Sequence, residues 1–285
     1  MATKKKAGWA AMPAGAAFDF SGEVLKKSWK DLHAGDGEPW PDAKRAAALL
    51  KAAGKAAPKG LDAESLAAAL QQAWQAFHEG RFEAAWTVGQ ALGAVGASVA
   101  VKAIGIHASH LVADAEERLA RFETAIEQAE AAIAALPDEA NSHYRHAFAL
   151  GRYSQGISIV KALKQGLAGK VRSSLDRSLS LHPKHAEAHL ALAVYHAEVV
   201  SKVGGLIAGL TYGAKAAEAE KHLALALECM PKSPVAHLEH GNVLLLLQGG
   251  KGEDAAASAF EKAAKLKPRD AMEWLDARHA ASQIE

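Results

Sequence analysis

Histidine is the residue type with the most obvious capacity for chemistry, since the chain contains fourteen of them. Several pairs stand three or four residues apart, and on a helix either spacing places both rings on one face, as a zinc site requires. These pairs are His107/His110, His143/His146, His237/His240 and His185/His189. No HExxH pattern or neighbouring cysteine accompanies them, so we expect side chains that pack and hydrogen-bond within the fold and no metal site.

Catalytic motifs are missing from the sequence. Lys170 follows Gly169 as in a phosphate-binding loop, but Val171 stands where Ser or Thr is needed. There is no G-x-S-x-G segment, and Cys229 lies beside Met230 at an apolar helix end, where a small core residue is expected. The sequence therefore predicts a protein that is not an enzyme and carries no cofactor.

The amino-acid composition excludes further classes of protein. The 285 residues are 50% hydrophobic and 23% charged, with a net charge of +1, which gives no electrostatic footprint for nucleic acid. One cysteine cannot form an intrachain disulfide, which favours a reducing, cytoplasmic location. No apolar run approaches the roughly 18 residues of a transmembrane segment. Abundant alanine, with few prolines and β-branched residues, predicts an all-α fold.

Beyond residue 60 the sequence repeats. Four segments end on an apolar helical turn followed by proline and a new helix, at Pro137, Pro183, Pro231 and Pro268. The spacings are 46, 48 and 37 residues. Self-similarity at such periods is typical of a helical solenoid.

These repeats resemble the tetratricopeptide repeat, which pairs two antiparallel helices. The last one fits best, with His240-Gly241, Phe260 and Pro268 at the places for Leu-Gly, the aromatic and the proline. The resemblance implies a right-handed superhelix of helical hairpins over residues 61–285, with Trp274 beginning a capping helix. Long insertions inside the hairpins make the chain similar to bacterial relatives of the regulators of microtubule dynamics, and more weakly to the T component of TRAP transporters.

The resemblance also implies a concave groove lined by the first helix of each hairpin. Its inward-facing residues would be Lys102, Ile106, Tyr144, Phe148, Arg152, Leu190, Val194, Leu238 and Asn242. A mostly apolar groove of this kind would hold a helix or peptide of a protein partner, with Lys102 or Arg152 available for an acidic end. The alternative is that these apolar residues pack against the long insertions, which then fill the groove.

The insertion at residues 199–213 supports a second hypothesis. Gly205, Gly209 and Gly213 recur every fourth residue beside Leu206, Ile207 and Leu210. Such a segment could wall a pocket in a carrier or sensor of an apolar small molecule or lipid, or touch a membrane. The simpler interpretation is a glycine-rich crossover packed on its neighbours.

Three regions are expected along the chain. Residues 1–17 are predicted to be a disordered leader, residues 18–60 an N-terminal helical appendix, and residues 61–285 the repeat domain with its capping helix. The expected partner is a protein or peptide, or an apolar small molecule, and an oligomer is compatible with the sequence.

Overall fold

A computed structural model describes residues 8–284 of the chain. The described residues form α-helices and three short 3-10 turns, with no strand among them. In chain order the helices are α1 (Val24–Leu32), α2 (Ala43–Ala53), α3 (Ala63–His78), α4 (Phe82–Ala91), α5 (Ala97–Leu111), α6 (Ala115–Ala135), α7 (Ala140–Gln155), α8 (Ile159–Lys164), α9 (Leu167–Leu181), α10 (Ala186–Val203), α11 (Gly205–Tyr212), α12 (Ala216–Cys229), α13 (Pro234–Gln248), α14 (Glu253–Lys265) and α15 (Ala271–Ala281). The predicted all-α class is confirmed.

The helices pair as hairpins that stack into a superhelix. The pairs are α3–α4, α5–α6, α7–α9, α10–α12 and α13–α14, and α15 packs over the last pair. Two of the hairpins contain an extra short helix, α8 in the third and α11 in the fourth. The predicted tetratricopeptide-like architecture is therefore confirmed, including its long insertions.

A recurrent proline–histidine bond explains much of the histidine content. In three successive repeats, the ring Nε2 of a histidine lies 2.8–3.0 Å from the carbonyl oxygen of the proline six residues earlier. The pairs are His143 with Pro137, His189 with Pro183 and His237 with Pro231. Each bond joins the first turn of a new hairpin to the end of the previous one, so these histidines are structural.

Two glycines permit close approach between neighbouring helices, one within a hairpin and one between successive hairpins. A Cβ at Gly241 would stand 2.3 Å from Cε1 of Phe260, and one at Gly105 would stand 2.3 Å from Cε1 of Phe148. Both lie at the glycine position of the repeat pattern. The small residue is required there because an aromatic ring of a neighbouring helix rests directly on the backbone.

The N-terminal helices are integrated into the body, which differs from the expected appendix. Trp29 of α1 is buried with its ring edge-to-face on Trp74, at a centroid distance of 5.8 Å. Its Nε1 donates to the carbonyl of Glu38 at 2.8 Å. Leu49 of α2 joins a core cluster with Leu66 of α3. Residues 18–60 therefore share one core with the repeats.

The leader expected at residues 1–17 divides in two. Residues 1–7 lie outside the described part of the chain, whereas residues 8–17 have no helix or strand but are ordered by contacts. The ring of Trp9 lies 4.5 Å from that of His107 and 4.5 Å from the guanidinium of Arg121. His107 Nε2 bonds the carbonyl of Ala10 at 3.2 Å. The prediction of disorder is wrong for residues 8–17 because aromatic packing fixes them.

One stretch, Gly93–Leu111, is long and apolar enough to cross a membrane by length and composition alone. No such run was expected from the sequence. In the described structure 72% of its most apolar window is buried, so the stretch, which contains α5, forms part of the core and is weak evidence for a membrane span.

Candidate functional site

A cavity of about 350 Å³ lies on the concave face, between the first helices α5, α7, α10 and α13 and the two insertions. We call it the concave cavity. Seven of the predicted groove residues line it: Lys102, Ile106, Tyr144, Phe148, Arg152, Leu190 and Val194. The structure brings these side chains to one surface, and their role in binding stays a prediction.

Two predicted groove residues lie elsewhere. Leu238 is buried in a core cluster with Ala256 and Phe260 of α14, because its face of α13 turns toward the second helix of its own hairpin. Asn242 Nδ2 donates to Oε2 of Glu239 at 2.9 Å and does not reach the cavity. The prediction that both line the groove is wrong.

The insertions form the outer wall of the concave cavity. Val203 and Tyr212 line it from residues 199–213, and Ile159 and Leu163 line it from α8. Gly205 and Gly209 have no side chain or backbone pressed against them, so the glycine stripe is not a close packing contact. The apolar residues of α8 that line the cavity were not among the predicted groove residues.

A loop of the N-terminal region closes one end of the groove. Asp36, between α1 and α2, is buried and its Oδ2 accepts from Lys102 Nζ at 2.8 Å and from Arg145 Nη2 at 2.5 Å. Glu187 adds weaker pairs with the same two cations, at 3.3 Å and 3.5 Å. The sequence predicted that Lys102 would be available for an acidic end of a ligand, but it is already paired with Asp36 and Glu187 inside the chain.

Burial and charge act against each other in this ion cluster. Although burial raises the pKa of Asp36, the positive charges of Lys102 and Arg145 and the nearby His33 hold it well below its usual range. Burial likewise opposes the charge of Lys102, but Asp36 and Glu187 raise its pKa. Both carboxylate and cations are thus held in their charged forms.

Neutral histidines surround the ion cluster. Burial lowers the pKa of His33 to about 4 and that of His185 to about 3. His33 Nδ1 lies 2.8 Å from Oδ1 of Asp36, and His185 Nε2 lies 2.9 Å from Oδ1 of Asn141. These rings act as hydrogen-bonding core residues that stabilise the loop against the concave face.

A second cluster of polar side chains lies at the α13–α15 end of the cavity. Arg152 Nη2 donates to Oε1 of Glu239 at 2.9 Å, and His110 Nε2 lies 3.2 Å from Oδ1 of Asp276. Among the described residues, Oδ2 of Asp276 is buried without a hydrogen-bond partner, and so is Nε of Arg145. A buried polar atom without a partner is costly, and both residues line the cavity.

The histidines and the single cysteine were the residues that the sequence offered for chemistry. Within residues 8–284, no three His, Cys, Asp or Glu side chains are grouped so that they could hold a metal ion. Cys229 is exposed, which corrects its expected place in the core. The stacked rings of His189 and His222 share a hydrogen bond of 2.8 Å between their Nδ1 atoms.

Comparison with known proteins agrees with this architecture. Residues 97–203 match the model of the family described as regulator of microtubule dynamics protein 1-3. Those residues run from α5 to the end of α10 and supply most of the concave cavity. No curated protein sequence matches the chain.

A solved structure has the same fold. It is that of a thermophilic TPR protein of Thermus thermophilus, with a TM-score of 0.50 and 16% sequence identity. The similarity covers 75% of this chain and 98% of that one. The chain thus has a tetratricopeptide-like helical-repeat fold, and its residues 97–203 are similar to the family described as regulator of microtubule dynamics protein 1-3.

Proposed function

We propose that this chain is a non-enzymatic binding protein whose concave cavity holds one slim apolar ligand, such as the acyl or alkyl part of a small molecule. The observation that carries the proposal is the cavity itself. Side chains from three successive hairpins, Ile106, Phe148, Leu190 and Val194 among them, give it an apolar lining, and two insertions wall it from outside.

The size of the cavity argues against a bound helix. A helix with its side chains is about 10–12 Å across. The loop around Asp36 already occupies one end of the groove, and the remaining 350 Å³ falls within the usual range of small-molecule pockets. A single extended chain of atoms fits this space better than a partner helix does.

The polar groups of the cavity support binding without catalysis. Lys102, Arg152 and Glu239 are all engaged in ion pairs within the chain. Tetratricopeptide-like repeats are scaffolds of a non-enzymatic kind. We therefore assign no reaction to the protein.

A protein-interaction scaffold is the second candidate, and the helical-repeat fold favours it. In this case the occupant would be an extended apolar segment of a partner protein, lying across α5, α7 and α10. Phe148→Asp is expected to abolish capture of such a segment. For a small apolar ligand the same substitution would empty the cavity and remove the stabilisation that the ligand gives.

The location is also a proposal. The single cysteine supports a reducing compartment, which we propose is the cytoplasm. The resemblance implies a bacterial source, which we propose as well.

Titration with the neutral apolar probe N-phenyl-1-naphthylamine tests the leading proposal. Val194→Trp places a large ring in the cavity and is expected to lower the probe's affinity at least about tenfold. Leu225→Trp is the matched control, because Leu225 is exposed on α12 away from the cavity. Equal binding by wild type and both variants would contradict the proposal.

A further inference from the structure

We propose that the two insertions form a surface that docks the protein on a lipid bilayer with anionic headgroups. This inference rests on the proposed function, because a carrier of an apolar ligand must collect or deliver it somewhere. The surface consists of exposed apolar side chains on α8 and α11, and we call it the insert surface. Its members are Ile159, Val160, Leu163, Leu206, Ile207 and Leu210.

Exposure of large apolar side chains is concentrated on these two short helices. Leu206 is 77% exposed, Leu210 is 81% exposed and Val160 is 62% exposed. Most of the other exposed large apolar side chains stand singly on other helices. Large apolar side chains exposed together on one element mark an interaction site.

Charge selects the chemistry of the partner. Residues 156–172 and 199–215 together contain six basic side chains and no acidic one, in a chain whose net charge is only +1. Arg172 is paired with Asp176 one turn later on α9, and Lys202 with Glu198 one turn earlier on α10. The remaining basic residues are Lys161, Lys164, Lys170 and Lys215. The surface is therefore complementary to an anionic partner.

The two helices bury few of their own side chains. No residue of α8 is buried, and α11 buries only Ala208. Gly166 follows α8 with a φ of 62°, and Gly204 and Gly213 flank α11 with φ of 79° and 62°. Their apolar faces are therefore uncovered and can contact a bilayer while the hairpins beneath stay packed.

The insert surface borders the concave cavity. Ile159 and Leu163 are about half exposed and also line the cavity. A bilayer seated on α8 and α11 would therefore face the cavity wall. This continuity, together with apolar side chains flanked by lysines, favours a membrane surface over a folded protein partner, which would present its own hydrogen-bonding rim.

Vesicle flotation of the full-length protein tests the inference. Phosphatidylcholine vesicles with and without about 30% phosphatidylglycerol are the probes. We expect binding to the anionic vesicles, weaker binding at high salt, and at least about tenfold weaker binding when Leu206, Ile207 and Leu210 are all changed to Ser. The matched control, Leu225→Ser, removes an exposed leucine outside the insert surface and should bind as wild type does.

Two further variants separate this inference from the proposed function. Lys161→Gln with Lys164→Gln should weaken binding to anionic vesicles only. Val194→Trp should bind vesicles normally although its cavity is filled. Failure of the wild-type protein to float with anionic vesicles, or flotation unaffected by the triple serine change, would overturn the docking surface while leaving the cavity proposal standing.

Discussion

Asp36→Asn removes the negative charge at the centre of the buried ion cluster without changing the size of the side chain. In the native protein two carboxylates, Asp36 and Glu187, face two cations, Lys102 and Arg145. The substitution leaves Glu187 alone, at 3.3 Å and 3.5 Å, against both positive charges. One buried cation is then uncompensated, and we expect a loss of about 3–5 kcal/mol in the free energy of unfolding.

Guanidinium denaturation at pH 7, followed by circular dichroism at 222 nm, measures this loss. Asp138→Asn is the matched control because Asp138 also forms one 2.8 Å ion pair, with Arg177, but its side chain is 86% exposed. The control should change stability by less than about 1 kcal/mol. A loss below about 1 kcal/mol for Asp36→Asn would refute the view that this carboxylate fixes the N-terminal loop on the concave face.

Acid pH, a glycine and a histidine probe three other features of the fold. The free energy of unfolding should fall as the pH is lowered from about 7 to 4. Four histidines have folded-state pKa values near or below 4, so the unfolded chain protonates these rings before the folded chain does. Denaturation curves that do not change over this range would contradict this prediction. The buried or half-buried histidines concerned are His33, His107, His185 and His222. Gly241→Ala should lower the free energy of unfolding by about 1–3 kcal/mol because its Cβ meets Phe260. Gly169→Ala is the control: its Cβ meets open space, so it should be neutral or stabilising. Equal shifts in melting temperature for the two variants would be inconsistent with the close approach at Gly241. His189→Phe should cost about 1–2 kcal/mol, since the carbonyl of Pro183 and the ring of His222 lose their partner; an unchanged urea midpoint would show that the proline–histidine bond is dispensable.

The hairpin architecture could be predicted from the sequence because its signals are local. Proline can follow but not continue a helix, and glycine at positions 105 and 241 permits an approach that no other residue allows. The phase of the repeat also placed seven of nine groove residues on the cavity. Leu238 and Asn242 were misplaced because the last hairpin turns its first helix against α14 and α15.

The closing of the groove could not be predicted, because it depends on contacts between distant parts of the chain. Asp36 meets Lys102 and Arg145 across 66 and 109 residues. Nothing local distinguishes this aspartate from others in polar loops. The contacts of residues 8–17 were missed for the same reason, since the ring of Trp9 rests on His107 and Arg121, which lie far along the chain.

Native mass spectrometry of the gently purified full-length protein, paired with solvent extraction after denaturation, tests the central claim most directly. The account predicts one apolar small molecule bound per chain, released on unfolding and missing from Val194→Trp but present in Leu225→Trp. A retained polypeptide in its place would favour the scaffold. An empty wild-type protein that also fails to bind N-phenyl-1-naphthylamine would contradict the claim that the concave cavity is a binding site.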